Sequence, residues 1–147
     1  MIMTICDLDG TICDDRHRLG LIDEAAADPF AAYHAACGQD RFINAGCVVT
    51  ARSLVIITSR PESMRKETEA WLAAHNIQSS HLLMRPIGNL QPSPQLKEDL
   101  LLVLLRAIQV SWIPMAGLEF IAYDDRPDVL AMYRRHGMKT VTVFYED

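Results

Sequence analysis

The chain has 147 residues, half of them apolar and 22% charged, with a formal net charge of −5. That composition suits one compact domain with a core of its own, and the negative charge argues against a broad basic surface that grips long nucleic acid. No apolar run approaches the ~20 residues of a membrane-spanning helix. With no secretory leader and no CxxC pair, Cys6, Cys13, Cys37 and Cys47 are expected as reduced thiols of a cytoplasmic protein.

In chain order, residues 1–6 form a near-continuous apolar run that ends on Asp7. Residues 14–48 break the pattern, with an Ala-rich helix at 28–37, and read as a small helical cap inserted after the first strand. A second apolar run, 53–57, ends on Thr58. An amphipathic helix is expected over 61–75, with Pro61 and Glu62 in its first turn. Residues 84–94, with three prolines and Gly88, read as a loop, and a helix follows over 94–109. The third apolar run, 118–123, ends on Asp124. A helix over 127–136 is closed by Gly137, and 140–144 is read as the last strand. Apolar strands without alternation are buried on both faces of a parallel sheet. Strands alternating with helices make this an α/β, doubly wound, Rossmann-like domain over residues 1–147. Ligands of such sheets bind beyond the carboxyl ends of the strands, where Asp7, Thr58 and Asp124 all fall.

The strongest chemical signal is Asp7-Leu8-Asp9-Gly10-Thr11. Two carboxylates two residues apart at a strand end can face one pocket. One can attack phosphorus and the other can move the leaving-group proton, while Gly10 permits the tight turn between them. Thr58-Ser59-Arg60 places a hydroxyl, backbone N–H groups and a guanidinium after the second strand, a pattern suited to phosphate. It equally suits a helix N-cap. Asp124-Asp125-Arg126 follows the third strand. Adjacent acids there are costly unless they hold a cation or donors, and one of them with Asp7 and the Asp9 carbonyl would suit Mg²⁺. Arg18 on the cap side and Arg85 in the proline loop are candidate substrate contacts or surface charges. No histidine cluster suggests a metal site.

These elements in this order resemble the haloacid dehalogenase (HAD)-type phosphohydrolases. Asp7 and Asp9 match that family's nucleophile and acid/base, Thr58 its second motif, Lys97 its third and Asp124-Asp125 its acidic fourth. Within the family the chain looks most like the 3′-phosphatase domain of phage-type polynucleotide kinase-phosphatases, through Thr58-Ser59-Arg60, Tyr123 to Arg126 and Met132 to Gly137. Arg18 and Arg85 fall near positions of functional arginines there. The resemblance implies Mg²⁺, an aspartyl-phosphate, Asp125 rather than Asp124 as the metal ligand, and a phosphate carried on a nucleotide or nucleic-acid end. The chain departs from that subgroup in having Ser93 and Pro94 before Lys97, where acids are usual, and no GxxxxGK[ST] kinase loop occurs.

The expectation is therefore a Mg²⁺-dependent phosphomonoesterase acting on 3′-phosphorylated nucleic-acid ends or nucleotides. Two alternatives stand beside it: a nucleotidase for free mononucleotides, and a non-enzymatic, receiver-like phosphoryl-binding module. No protein partner is readable.

Overall fold

The computed structural model of the chain describes residues 1–43, 46 and 51–144. Its centre is a parallel sheet of β1 (Ile2–Cys6), β4 (Leu54–Pro61), β5 (His81–Arg85), β6 (Glu119–Asp124) and β7 (Lys139–Thr142), in the spatial order β5-β4-β1-β6-β7. β1 is in the middle, with Cys6 opposite both Ile56 of β4 and Tyr123 of β6. The helices of the repeating part are α2 (Arg65–Ala74), α3 (Ser93–Gln109) and α4 (Pro127–Arg135). This is the expected doubly wound, HAD-like fold.

Alternate residues of the inner strands point to opposite layers, as a pleated strand requires. Met3, Ile5, Val55, Ile57 and Ala122 pack with Leu101, Leu104 and Ile108 of α3 and Val129, Met132 and Tyr133 of α4. Cys6, Leu54 and Ile56 face the other way, toward Leu8, Ile12 and the α2 residues Trp71 and Leu72. Each fully buried Ile or Leu of these layers contributes roughly 1.5–3 kcal/mol. Cys6, Cys13 and Cys37 are buried thiols outside any disulfide among the described residues, and Cys47 lies outside those residues. Among the described residues no helix is long and apolar enough to cross a membrane.

Several boundaries differ from those expected. β4 runs past Thr58 to Pro61, which pairs with Arg85 after an irregularity in the ladder. Pro61 is extended (ψ 152°), a 3-10 turn spans Glu62–Met64, and the helix begins only at Arg65. The loop expected over 84–94 starts after β5, a strand the sequence reading omits. β5 is short, lies at the sheet edge and is only partly buried, so it lacks the apolar run that marks an inner strand. β7 ends at Thr142, level with Asp124 at the end of its neighbour β6, rather than at 144.

The segment after β1 holds a short antiparallel pair, β2 (Cys13–Asp14) with β3 (Arg41–Phe42). Between them lie a 3-10 helix (Arg16–Leu21), α1 (Ala31–Ala35) and a 3-10 turn (Cys37–Gln39). α1 is shorter than the expected 28–37 helix. Asp28 accepts a bond from the Phe30 N–H ahead of it, and the chain tightens into 3-10 geometry just before Gly38. The cap boundary expected near 48 falls outside the described residues.

Candidate active site

Where β1 ends, the Asp7 N–H still bonds to Tyr123 O (3.1 Å), so the ladder with β6 fixes its backbone. The chain then turns sharply, the Leu8 carbonyl accepting bonds from Thr11, Ile12 and Cys13 (3.1, 2.9 and 2.8 Å) while Gly10 takes a positive φ of 78°. That turn returns Asp9 to the same edge of the sheet. Two groups of charge result, one around Asp7 and one around Asp9.

The first group holds Asp7, Lys97, Asp124 and Asp125. The Lys97 ammonium is buried, 3.0 Å from Asp7 Oδ1 and 2.7 Å from Asp124 Oδ2. It stands one turn inside α3. Burial alone would lower its pKa, but Asp124 and Asp7 outweigh burial and keep it protonated. Asp7 titrates well above the ordinary carboxylate range. Burial is the main cause, opposed by Lys97 and reinforced by Asp124, Asp9 and Asp125. Asp125 is pushed up to about 6 by burial and then by Asp124.

Carboxylate oxygens of Asp7, Asp124 and Asp125 all lie within 4.8 Å of one another. Both oxygens of Asp124 are taken, one by Lys97 and the other by the Arg126 N–H at 3.0 Å. An incoming cation would therefore find Asp7 and the partly open Asp125. Hard oxygen donors, few in number and carrying surplus negative charge, fit Mg²⁺.

The second group surrounds Asp9. Arg60 donates to Asp9 from Nε (2.9 Å to Oδ1) and from Nη2 (2.6 Å), and Arg18 Nη2 also reaches Asp9 Oδ1. Burial would raise Asp9, but the two guanidiniums, Arg60 foremost, hold it below the ordinary range. The remaining nitrogens of both arginines are engaged as well. Arg60 Nη1 bonds Thr68 and Nη2 bonds Asp40, while Arg18 bonds Asp40 and the Tyr33 carbonyl and lies 4.1 Å from the Tyr33 ring centre.

The expected substrate contacts are thus placed differently from one another. Arg18 and Arg60 are fully buried and turned onto Asp9 rather than into the cleft. Arg85 donates to the carbonyls of Ser59 (3.0 Å), Asn89 (3.1 Å) and Gln91 (2.7 Å), stapling the proline loop to the end of β4. Ser59 Oγ shares a 2.8 Å bond with Ser93 Oγ. Thr58 is buried at the sheet edge, its hydroxyl accepting the Arg60 N–H at 3.2 Å. Arg16, paired with Asp14, is a surface charge.

The sequence reading missed Asp40, a fully buried acid at the heart of the second group. It also missed Tyr33, whose hydroxyl donates to Asp15. Neither residue lies in a motif or in a periodic pattern.

The family model of the polynucleotide kinase PNKP phosphatase domain matches residues 2–147. The chain belongs to this family. As a PNKP-type phosphatase domain it is a phosphoric monoester hydrolase of the HAD type. Similar solved structures include a chain of the Pnkp1/Rnl/Hen1 RNA repair complex, at 25% identity over 99% of this domain and 43% of that chain, with a TM-score of 0.69. A second structure of the Pnkp1/Rnl/Hen1 complex gives 25% identity, 99% and 47% coverage, and a TM-score of 0.70. This PNKP-type domain thus spans less than half the length of either relative. No curated protein matches it.

Proposed function

We propose that this domain removes 3′-phosphates from nucleic-acid ends, with Mg²⁺, through an aspartyl-phosphate on Asp7. The observation that carries the reading is the position of Asp7. It ends the central strand beside the Lys97 ammonium, at 3.0 Å, with a second acid, Asp9, held by two guanidiniums only two residues on. In this reading an Asp7 oxygen attacks phosphorus, and the bond from phosphorus to the leaving oxygen breaks with its electron pair on that oxygen. Asp9, kept ionised at rest by Arg60 and Arg18, takes up a proton from solvent as substrate binds, gives it to the leaving oxygen, and then takes one from the water that cleaves the aspartyl-phosphate. Lys97 and Thr58 face the phosphoryl oxygens. Asp7, Asp125 and the Asp9 carbonyl would hold Mg²⁺, which supplies positive charge against the phosphoryl group. Arg18 and Arg60 act on Asp9 rather than on phosphate. Ser59 and Arg85 support the rim of the site. Both solved neighbours are parts of multiprotein complexes, so a protein partner belongs to the same reading, beyond the bare substrate expected from sequence.

The test is phosphate release, with and without Mg²⁺, from four substrates: a 3′-phosphorylated oligonucleotide, a 5′-phosphorylated one, and free 3′- and 5′-mononucleotides. Release from the 3′ end that depends on Mg²⁺ supports the proposal. Release from mononucleotides alone selects a nucleotidase, and no release from any of them selects a phosphoryl-binding module.

A further inference from the structure

Asp40 has no part in the steps above, yet it organises the group around Asp9. It follows the 3-10 turn Cys37–Gln39 in the segment inserted after β1, and it is completely buried. Its Oδ1 accepts Arg18 Nε (2.8 Å) and the ring Nε2 of His17 (2.9 Å), and its Oδ2 accepts Nη2 of Arg18 (2.7 Å) and Nη2 of Arg60 (2.8 Å). Trp71 in α2 donates its indole N–H to the Asp40 carbonyl at 2.7 Å, which pins the backbone there to the opposite element.

The same two Nη2 atoms that bond Asp40 also bond Asp9. Two guanidiniums therefore lie between two carboxylates, one sealed and one whose side chain keeps 13% of its exposure. With Asp9 ionised, its state before it takes up the proton it delivers, two positive and two negative charges cancel, so the group is tolerated in a low-dielectric interior where an unmatched charge is not. The planar forks are fixed from behind by Asp40. Their direction sets the direction of Asp9, and a geometry held in advance is what makes proton transfer efficient. Without Asp40, Arg18 would keep only Tyr33 and Arg60 only a 3.3 Å bond to Thr68 against the swing of the carboxylate they aim.

We propose that Asp40 is a positioning residue for proton transfer: it anchors Arg18 and Arg60 so that they aim Asp9 at the leaving oxygen. This rests on Asp9 as the acid/base group. The step it serves is the one in which the leaving oxygen takes the electron pair of the broken bond to phosphorus. An alkoxide needs the Asp9 proton at that moment, whereas p-nitrophenolate leaves without one. Loss of Asp40 should therefore slow esters in proportion to how basic their leaving oxygen is.

The experiment compares kcat/KM on p-nitrophenyl phosphate, phenyl phosphate and a 3′-phosphorylated oligonucleotide for the wild type, Asp40→Asn and Asp9→Asn. The ratio between substrates within one protein cancels any loss of folded fraction in Asp40→Asn. Trp71→Phe, which frees the Asp40 backbone but leaves every charge in place, is the milder second variant. In Asp40→Asn the fall should be smallest on p-nitrophenyl phosphate, about tenfold on phenyl phosphate and about a hundredfold on the oligonucleotide. Trp71→Phe should show a weaker trend in the same order. Equal falls on all three substrates in Asp40→Asn, with Asp9→Asn still selective, would overturn the positioning role alone. Equal falls in Asp9→Asn as well would overturn the acid/base reading and this inference with it.

Discussion

Gly10 and Asp125 leave no room between them: a Cβ on Gly10 would stand 2.5 Å from Asp125 Oδ2 and 2.8 Å from its Cγ. The backbone there also has a φ of 78°, which costs an L side chain about 1–2 kcal/mol. Gly10→Ala is therefore expected to lower stability by at least that amount and to push the Asp125 carboxylate aside. Measured by urea unfolding and a Mg²⁺ titration of phosphatase activity, the variant should need more Mg²⁺ for half-maximal rate. An unchanged Mg²⁺ requirement would separate Asp125 from the metal.

Asp7→Asn should reduce turnover by roughly a thousandfold or more, because an amide oxygen does not form the covalent intermediate. The fold should survive. Lys97 keeps Asp124 as a partner at 2.7 Å, and the amide removes one of several crowded negative charges. Thermal melting should give a midpoint at or above that of the wild type while phosphate release disappears. Retention of even a tenth of the activity would move the nucleophile elsewhere.

Lys97→Met has the opposite balance. It leaves Asp7 and Asp124 buried without the ammonium that lies between them. Stripping one partner from a buried charge group costs about 3–5 kcal/mol. Urea unfolding should show that loss without metal and partial recovery in excess Mg²⁺, which supplies positive charge at the same place.

Mg²⁺ itself should stabilise the wild type. A ligand at a hundred times its dissociation constant adds about 2.7 kcal/mol, or roughly 5–10 °C in melting temperature for a chain of this length. The rise should be reversed by a chelator and should vanish in Asp125→Asn. A full shift in that variant would place the ion away from Asp125.

His34 gives stability a pH dependence of its own. Burial, ahead of the opposing pull of Asp9 and the push of Arg18, Arg60 and Arg85, lowers its pKa to about 4, and its Nδ1 is buried with no hydrogen-bond partner among the described residues. Above about pH 6.5 the ring is neutral in both folded and unfolded chains and contributes nothing. As pH falls below that value only the unfolded chain takes the proton, so the fold loses stability, by about 2 kcal/mol at pH 5, and the loss is complete below pH 4. Urea titrations at pH 7 and pH 5 should show the wild type losing this much stability relative to His34→Gln, because Asp7 and Asp125, whose raised pKa values act in the opposite sense over this range, are common to both proteins.

The strand ends at Asp7 and Asp124 were legible because strands covered on both faces must be apolar throughout, and a sudden acid marks where the apolar run stops, whereas β4 runs three residues past the Thr58 that ends its apolar run. β5 escaped because an edge strand that is partly exposed carries no such run. Direction was harder to read than position. Arg60 was read from its neighbours Thr58 and Ser59 as a phosphate contact, but its fork faces Asp9, and Asp40, twenty residues earlier, holds it there. Asp40 itself is a single acid after Gly38 and Gln39 with no pattern around it, and only the burial of two guanidiniums beside it reveals its weight.

The placement of β1 between β4 and β6 also bears on how the site comes into being. Its two neighbours begin at residues 54 and 119, so β1 cannot complete its pairing until the chain has been extended past residue 123. Contacts so distant in sequence form late and slowly. A growing chain would carry Asp7 well before β6 is made, yet have no hydrolytic capacity until β6 docks and brings Asp124 and Asp125 alongside. The onset of phosphatase activity during refolding should therefore mark the arrival of the last inner strand, and the enzyme can serve as its own clock for the closing of the sheet.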